Sequence, residues 1–304
     1  MTSRSDGGSL TSSPRRHPPD IFWLRELTKA PEPPEQLIGD GFLDVETRLL
    51  IAGKAKVGKS FVAIWLAGCL AGGQAFLGWQ VPQPRRVAYI QMEVGRQRMR
   101  MRVWDFMLGF DMDVVGNNMV VWTDREFGLR YLPQLRDFLE EHRVEIVIVD
   151  PLYLLHMAKE NAADEMTEVV KQVDTLAPPA KAVVVVHHFG KSATAGPRGS
   201  SILDAWPDSL LYLEGKPARL KVTVNLRNGP GRDPFLIGLV DDPKRFLLLD
   251  DDGHLEQILP LLPAKQAALV THLGEPKTTV NRWLHALEDK GLLVLEKGTW
   301  ASAL

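Results

Sequence analysis

Residues Gly53-Lys54-Ala55-Lys56-Val57-Gly58-Lys59-Ser60 complete a G-x-x-x-x-G-K-[ST] pattern, and nothing else in the chain constrains its fold and chemistry as much. The pattern follows the apolar run RLLIAG (48–53) and opens the segment FVAIWLAGCLAGG. It therefore sits between a buried strand and a helix, the context that gives the motif its meaning. Glycines let the backbone curl so that N–H groups face phosphate oxygens at the positive end of a helix dipole. A lysine at this position reaches the β- and γ-phosphates, and the hydroxyl after it ligates Mg²⁺. Gly53, Lys54, Ala55, Lys56, Val57, Gly58, Lys59, Ser60 and Phe61 are the candidate cofactor-binding residues, with Lys59 also catalytic and Ser60 a metal ligand. The implied cofactors are ATP and Mg²⁺.

From Arg48 onward, short β-branched runs alternate with helical segments. Strands are expected at RLLIAG (48–53), RVAYIQME (86–93), MVVWT (119–123), EIVIVD (145–150) and AVVVVHH (182–188). These runs scarcely alternate in polarity, as strands do when helices cover both faces of a parallel sheet. Met99, Val103, Phe106, Met107 and Phe110 recur at helical spacing, as do Met166, Val169, Val170, Val173 and Leu176. The fold class is α/β, a doubly wound and mostly parallel sheet. Four later runs, 208–213, 220–225, 235–240 and 245–249, are joined by Gly/Pro turns and extend one sheet edge in antiparallel fashion. Expected domains are a disordered tail over 1–20, a phosphate-binding domain over 21–257 and a small domain over 258–304.

Carboxylates at strand ends supply the remaining chemistry. Asp150 closes Val147-Ile148-Val149 at the carboxyl end of a strand, where open α/β sheets place ligands; it is the second candidate metal ligand, acting through the water shell of Mg²⁺. Glu93 ends RVAYIQME, expected next to the phosphate-loop strand, and could polarise an attacking water. The single cysteine, Cys69, lies in an apolar helical stretch and reads as a buried thiol of a reducing compartment. No apolar run approaches the roughly 20 residues that span a bilayer, and the N-terminal residues lack the apolar core of a signal peptide. The expected location is cytoplasmic.

Further motifs follow in a fixed order: AFLGW, IVIVDPLYLL, VVVVHHFGKS, GPRGSSILDAWPDSLLYLE and VNLRNGP. Together with the phosphate loop they resemble the RecA-like ATPases, specifically the RepA-like plasmid helicases and their DnaB-type relatives, over about residues 36–240. The resemblance implies a homo-oligomeric ring, a hexamer, that hydrolyses ATP and moves single-stranded DNA through its channel as a replicative helicase. By that resemblance Glu93 is the catalytic carboxylate, and His187 or His188 senses the γ-phosphate. Lys191 and Arg198 belong to a channel loop facing DNA. Arg227 matches the arginine finger inserted into a neighbour's site. Asn225 departs from the pattern, since a lysine is typical there. Arg96, Arg98, Arg100 and Arg102 spread around a helix as a solvated flank or a subunit contact.

Residues 258–304 read as helix, turn, helix and hairpin, which resembles a winged helix. Lys277, Thr278, Thr279, Asn281, Arg282 and His285 lie on the exposed face of the second helix, where phosphates and base edges would be met. The formal net charge of −2 excludes overall attraction to nucleic acid, so any DNA binding rests on such local patches. The alternatives are an ATP-dependent regulator that binds a DNA site without translocating, and an ATPase whose small domain docks a protein.

Overall fold

The computed structural model describes residues 23–24, 32–156, 163–177, 180–188, 201–241, 243–250, 253–289 and 292–302. Its strands are β1 (Gln36–Ile38), β2 (Leu43–Asp44), β3 (Arg48–Gly53), β4 (Val87–Gln91), β5 (Met119–Thr123), β6 (Ile146–Asp150), β7 (Ala182–His188), β8 (Ser209–Lys216), β9 (Arg219–Leu226), β10 (Arg232–Asp241), β11 (Lys244–Leu249), β12 (Leu293–Glu296) and β13 (Thr299–Ser302). Its helices are α1 (Lys59–Gly72), α2 (Arg96–Met107), α3 (Met112–Asn118), α4 (Leu132–Glu141), α5 (Leu152–Leu155), α6 (Ala163–Asp174), α7 (Ser201–Ala205), α8 (His254–Ile258), α9 (Gln266–Leu273) and α10 (Lys277–Asp289).

Nine of these strands form one sheet in the order β11-β10-β9-β8-β3-β7-β6-β4-β5. From β8 to β5 every pairing is parallel. From β8 outward to β11 every pairing is antiparallel. This is the RecA-like arrangement, with the antiparallel extension where the Gly/Pro turns placed it. One expectation is corrected. The strand leading to Glu93, β4, does not neighbour the phosphate-loop strand β3; β7 and β6 lie between them, and β4 pairs with the Asp150 strand.

The absence of alternation in the strand sequences has its cause in the core. Leu49, Ile51, Tyr89, Ile148, Val184 and Val186 face the layer of α1, α2 and α3. Their alternates Leu50, Ala52, Ile90, Val147, Val149 and Val185 face the layer of α4 and α6, against Leu135, Leu139, Met166 and Val173. Both sets are fully or almost fully buried. Each such aliphatic side chain contributes about 1.5–3 kcal/mol relative to exposure, so a register slip in any inner strand would be costly on both faces. Cys69 is buried in α1, and burial pushes its thiol well above the usual range, which makes it inert.

Beyond β11, Leu255 and Ile258 of α8 join the same apolar cluster as Leu269 of α9, Val280, Leu284 and Leu287 of α10, and Trp300 of β13. Gly274 ends α9 in the left-handed region at φ 67°. β12 and β13 close at Lys297 and Gly298, both with positive φ, as a two-residue hairpin turn requires. Trp300 exchanges both backbone hydrogen bonds with Ala264, which adds a third chain to that small ladder. Among the described residues no helix is long and apolar enough to cross a membrane.

Candidate active site

The loop between β3 and α1 takes backbone conformations that its sequence alone makes accessible. Gly53 has φ 157°, and a Cβ there would stand 2.5 Å from the Leu213 carbonyl oxygen of the adjacent strand. Gly58, at φ 106°, is the N-cap of α1 and offers no capping side chain, and no acidic residue occupies the first turn. An uncapped helix start behind a curled glycine loop is a cradle for an anion. Lys59 is only 3% exposed. Its ammonium donates to the carbonyls of Gly53 (2.9 Å) and Lys54 (2.7 Å) and to Nδ1 of His188 (3.0 Å). Burial pushes the Lys59 pKa down to about 8, opposed by the negative charges of Asp150 and Glu93. Because an ammonium can only donate, His188 must accept through an unprotonated Nδ1. Burial and the neighbouring Lys59 charge push His188 down to about 4, which keeps it neutral for that role.

Asp150 is 1% exposed at the end of β6. Its Oδ2 accepts from the Tyr89 hydroxyl and from Gln91 Nε2. Oδ1 is buried without a well-aligned hydrogen bond of its own. Burial raises the carboxyl above the usual range; the Tyr89 and Ser60 hydroxyls pull it back, Glu93 pushes it up and Lys59 lowers it. An orphaned carboxylate oxygen near the Ser60 hydroxyl suits a hydrated divalent cation. No cluster of three or more Asp, Glu, His or Cys gathers among the described residues. Mg²⁺ here would depend on nucleotide phosphates and water besides Ser60 and Asp150.

Gln91 joins this carboxylate to the next. While its amide nitrogen serves Asp150, its Oε1 accepts from the backbone N–H groups of Glu93 and Val94. The bend after β4 is thereby set so that Glu93 faces the same cleft as Lys59 and Ser60, a space of about 1030 Å³ that also takes in Phe61, Tyr153 and His188. Sequence reasoning overlooked Tyr89 and Gln91. The signal was a tyrosine and a glutamine placed in a strand otherwise buried and apolar, where each polar group needs a partner.

His187 and His188 separate in role. His188 lines the cleft and touches Lys59, whereas His187 is buried, with its pKa pushed down to about 4 by burial and then by His188, Lys59 and His156. The arginines of α2 are not simply a solvated flank: Arg96, Arg98 and Arg102 line the cleft, joined by Arg125, and Arg102 lies over the Phe61 ring at 5.4 Å. Arg100 is exposed and does not line it.

Arg227 sits one residue past β9, half-exposed, donating to Asp208 Oδ1 and to the Ala205 carbonyl, each at 2.6 Å. Asp208 also accepts from the Arg48 backbone at the start of β3. Arg227 is thus at the opposite end of the sheet from its own phosphate loop, roughly 17 Å away along β3 by strand rise. Gly229, next in the RNGP segment, lies so close to the Asp40 carbonyl oxygen that a Cβ would be 2.2 Å from it. On α10, Lys277, Thr278, Asn281, Arg282 and His285 are exposed, and Thr279 is half-buried. Asn281 already accepts from Gln266, and His285 meets Glu288. Lys191 and Arg198 lie outside the described residues.

A mostly parallel α/β sheet with a glycine cradle, a buried lysine and a strand-end aspartate defines a RecA-like P-loop ATPase. The sequence pattern of the AAA-domain family matches residues 12–194, and the chain belongs to that family of nucleotide-binding ATPases. No curated protein sequence matches it. Among solved structures, a KaiC-like protein of the hyperthermophilic archaeon Pyrococcus horikoshii OT3 is similar at a TM-score of 0.49 and 16% identity, covering 70% of this chain and 94% of that one.

Proposed function

We propose that the protein is a self-assembling, DNA-acting ATPase of the RepA-like helicase type, hydrolysing Mg²⁺-bound ATP at sites shared between subunits. The observation that carries this reading is the placement of Arg227. It is too far along the sheet to serve its own phosphate loop, yet half-exposed at the end of β9 where a neighbour could be met. Lys59 and the loop amides would hold the phosphates, and Ser60 with Asp150 would hold the metal. Mg²⁺, when bound, neutralises phosphate charge and orients the terminal phosphoryl group. Glu93 would take a proton from the attacking water, Gln91 and Tyr89 would position the two carboxylates, and His188 would exchange Lys59 for phosphate when nucleotide enters. The segment 258–304 is read as a winged helix, with Lys277, Thr278, Thr279, Asn281 and Arg282 of α10 toward duplex DNA, while Lys191 and Arg198 would meet single-stranded DNA in the ring channel.

A second reading, a regulator that binds DNA without translocating, is favoured by Asn225, which is exposed near Arg227 where helicases of this type carry lysine. The deciding experiment measures ATP hydrolysis with and without single-stranded DNA, beside the native mass of the assembly. Stimulation by the single strand in a ring-sized assembly supports the helicase; unstimulated turnover in a monomer rejects it. Lys59→Ala must abolish turnover in a folded protein, or the site itself is misassigned.

A further inference from the structure

The nucleotide cleft holds more positive charge than a metal-bound triphosphate needs. Among the described residues six cationic side chains line it, Lys56, Lys59, Arg96, Arg98, Arg102 and Arg125, against one lining carboxylate, Glu93. Lys56 and Lys59 belong to the phosphate loop, and Arg102 is engaged with the Phe61 ring. Arg96, Arg98 and Arg125 remain, and two of them, Arg96 and Arg125, also share an adjoining hollow beside Gly95. Arg96 and Arg98 occupy the first turn of α2, which contains no acidic residue and has Gly95 as its N-cap. Cations at the positive end of a helix have the wrong sign for its dipole, so negative charge beside them is favoured, and Asp124 and Glu126 of the adjoining hollow supply only part of it.

The backbone makes room for this cluster. The guanidinium of Arg125 folds over Gly95, where a Cβ would stand 3.3 Å from Nη2. A side chain at position 95 would crowd the Arg125 guanidinium, which would have to give by a few tenths of an ångström. Gly95, Arg96 and Arg125 also line a neighbouring hollow of about 410 Å³, whose other charged groups are Asp124 and Glu126. Counting strands from the phosphate loop, the order is β3, β7, β6, β4, β5. Arg96 follows β4 and Arg125 follows β5, so both sit toward the Glu93 side of the cleft, away from the phosphate-loop strand β3.

Resting on the ATPase reading above, we propose that Arg96, Arg98 and Arg125 form a second anion subsite that receives the inorganic phosphate released by hydrolysis. In that reaction the water oxygen bonds to the terminal phosphorus, and the bridging P–O bond breaks with its electron pair on ADP. The proton lost by water leaves through Glu93 to solvent. The phosphate then departs from Lys59 toward the arginines, away from the ADP that still fills the phosphate loop.

The test is equilibrium dialysis of the full chain with radiolabelled inorganic phosphate, at fixed ionic strength in chloride, with Mg²⁺ and saturating ADP occupying the phosphate loop. The wild type is expected to bind phosphate, and Arg96→Ala/Arg125→Ala at least roughly 10-fold more weakly, the scale of one lost charge-assisted hydrogen bond. Arg125→Lys should fall between them. All three positions are exposed, so the variants fold. Lys59→Ala, dialysed without nucleotide, should keep the phosphate. If Lys59→Ala loses phosphate while the arginine variants retain it, the ion binds only in the phosphate loop and the proposal is wrong. It is equally wrong if the arginine variants bind phosphate normally but lose single-stranded DNA or assemble poorly, since the corner then serves DNA or a second copy of the chain. Should the wild type bind no ADP, the ATPase reading fails separately; the arginine subsite is still scored on the nucleotide-free protein.

Discussion

Lys59 sets a pH limit on nucleotide binding. Burial lowers its pKa to about 8, so the ammonium is fully present below that value and is lost as pH rises through it. Phosphate entering the cradle adds negative charge, which favours the protonated lysine. Nucleotide binding at pH 8.5 to 9 is therefore expected to take up a proton and to weaken with rising pH, whereas binding near pH 6.5 should involve little uptake. Calorimetry in buffers of different ionisation enthalpy measures this directly, and equal proton counts at both pH values would contradict the buried, downshifted lysine. His188 titrates near 4 and so stays neutral across this window. The carboxylates make a second, separable prediction. Glu93→Gln should bind nucleotide and hydrolyse it about 100-fold more slowly or worse, as loss of a general base does. Gln91→Leu removes the acceptor that sets the Glu93 bend and a donor to Asp150. It should lower kcat in the same direction even though position 91 touches no substrate. Full turnover by Gln91→Leu, in a protein of normal melting temperature, would reduce Gln91 to a packing residue.

The elements of the sheet were legible in the sequence because nearly every inner strand is buried on both faces, and Val183-Val184-Val185-Val186 leaves no other reading. Their lateral order was not legible. Burial makes β4, β6 and β7 chemically alike, so nothing local distinguishes which of them pairs with β3, and Glu93 was expected one strand away rather than three. The arginine corner was missed for a related reason. Helical spacing identified α2, but which of its arginines face solvent depends on where β5 ends and where Arg125 returns over Gly95. The curled loop between β3 and α1, by contrast, was legible from Gly53 and Gly58, whose positive φ and close neighbours favour glycine. In the C-terminal segment the apolar face of α10 was legible from Val280, Leu284 and Leu287, which fixes by exclusion the exposed face. That face yields an element-scale prediction. Lys277→Ala/Arg282→Ala should weaken duplex binding uniformly across sequences and reduce its salt slope, as loss of phosphate contacts does. Both side chains are exposed, so the melting temperature should barely move. Duplex affinity unchanged at fixed salt would assign α10 to a protein partner instead.

At the scale of the whole molecule, the sheet holds Arg227 and the phosphate loop at opposite ends of β3. Lys59, Ser60, Asp150 and Glu93 crowd the carboxyl ends of the parallel strands. Arg227 is anchored by Asp208 and Ala205 at the amino end of β3, and its backbone N–H also donates to the Asp208 carbonyl. No side-chain rotation spans that gap, so an Arg227 that assists hydrolysis must do so on another copy. Such fingers contribute ~10³ or more to turnover. Arg227→Ala removes one half-exposed ion pair, an interaction of about 0–1 kcal/mol, and Asp208 keeps Arg48 as a partner, so the variant should fold. It should bind ATP and hydrolyse it poorly. Mixing it with Glu93→Gln protein should then restore part of the activity, because some interfaces in a mixed assembly pair an intact Glu93 with an intact Arg227. An arginine acting within its own chain could not give that result, since neither variant would hold a complete site. The mixture must be checked for co-assembly by native mass spectrometry with one variant isotopically labelled. If the two inactive proteins share assemblies and the mixture stays inactive, Arg227 is a structural clamp on Asp208 and the shared-site reading fails.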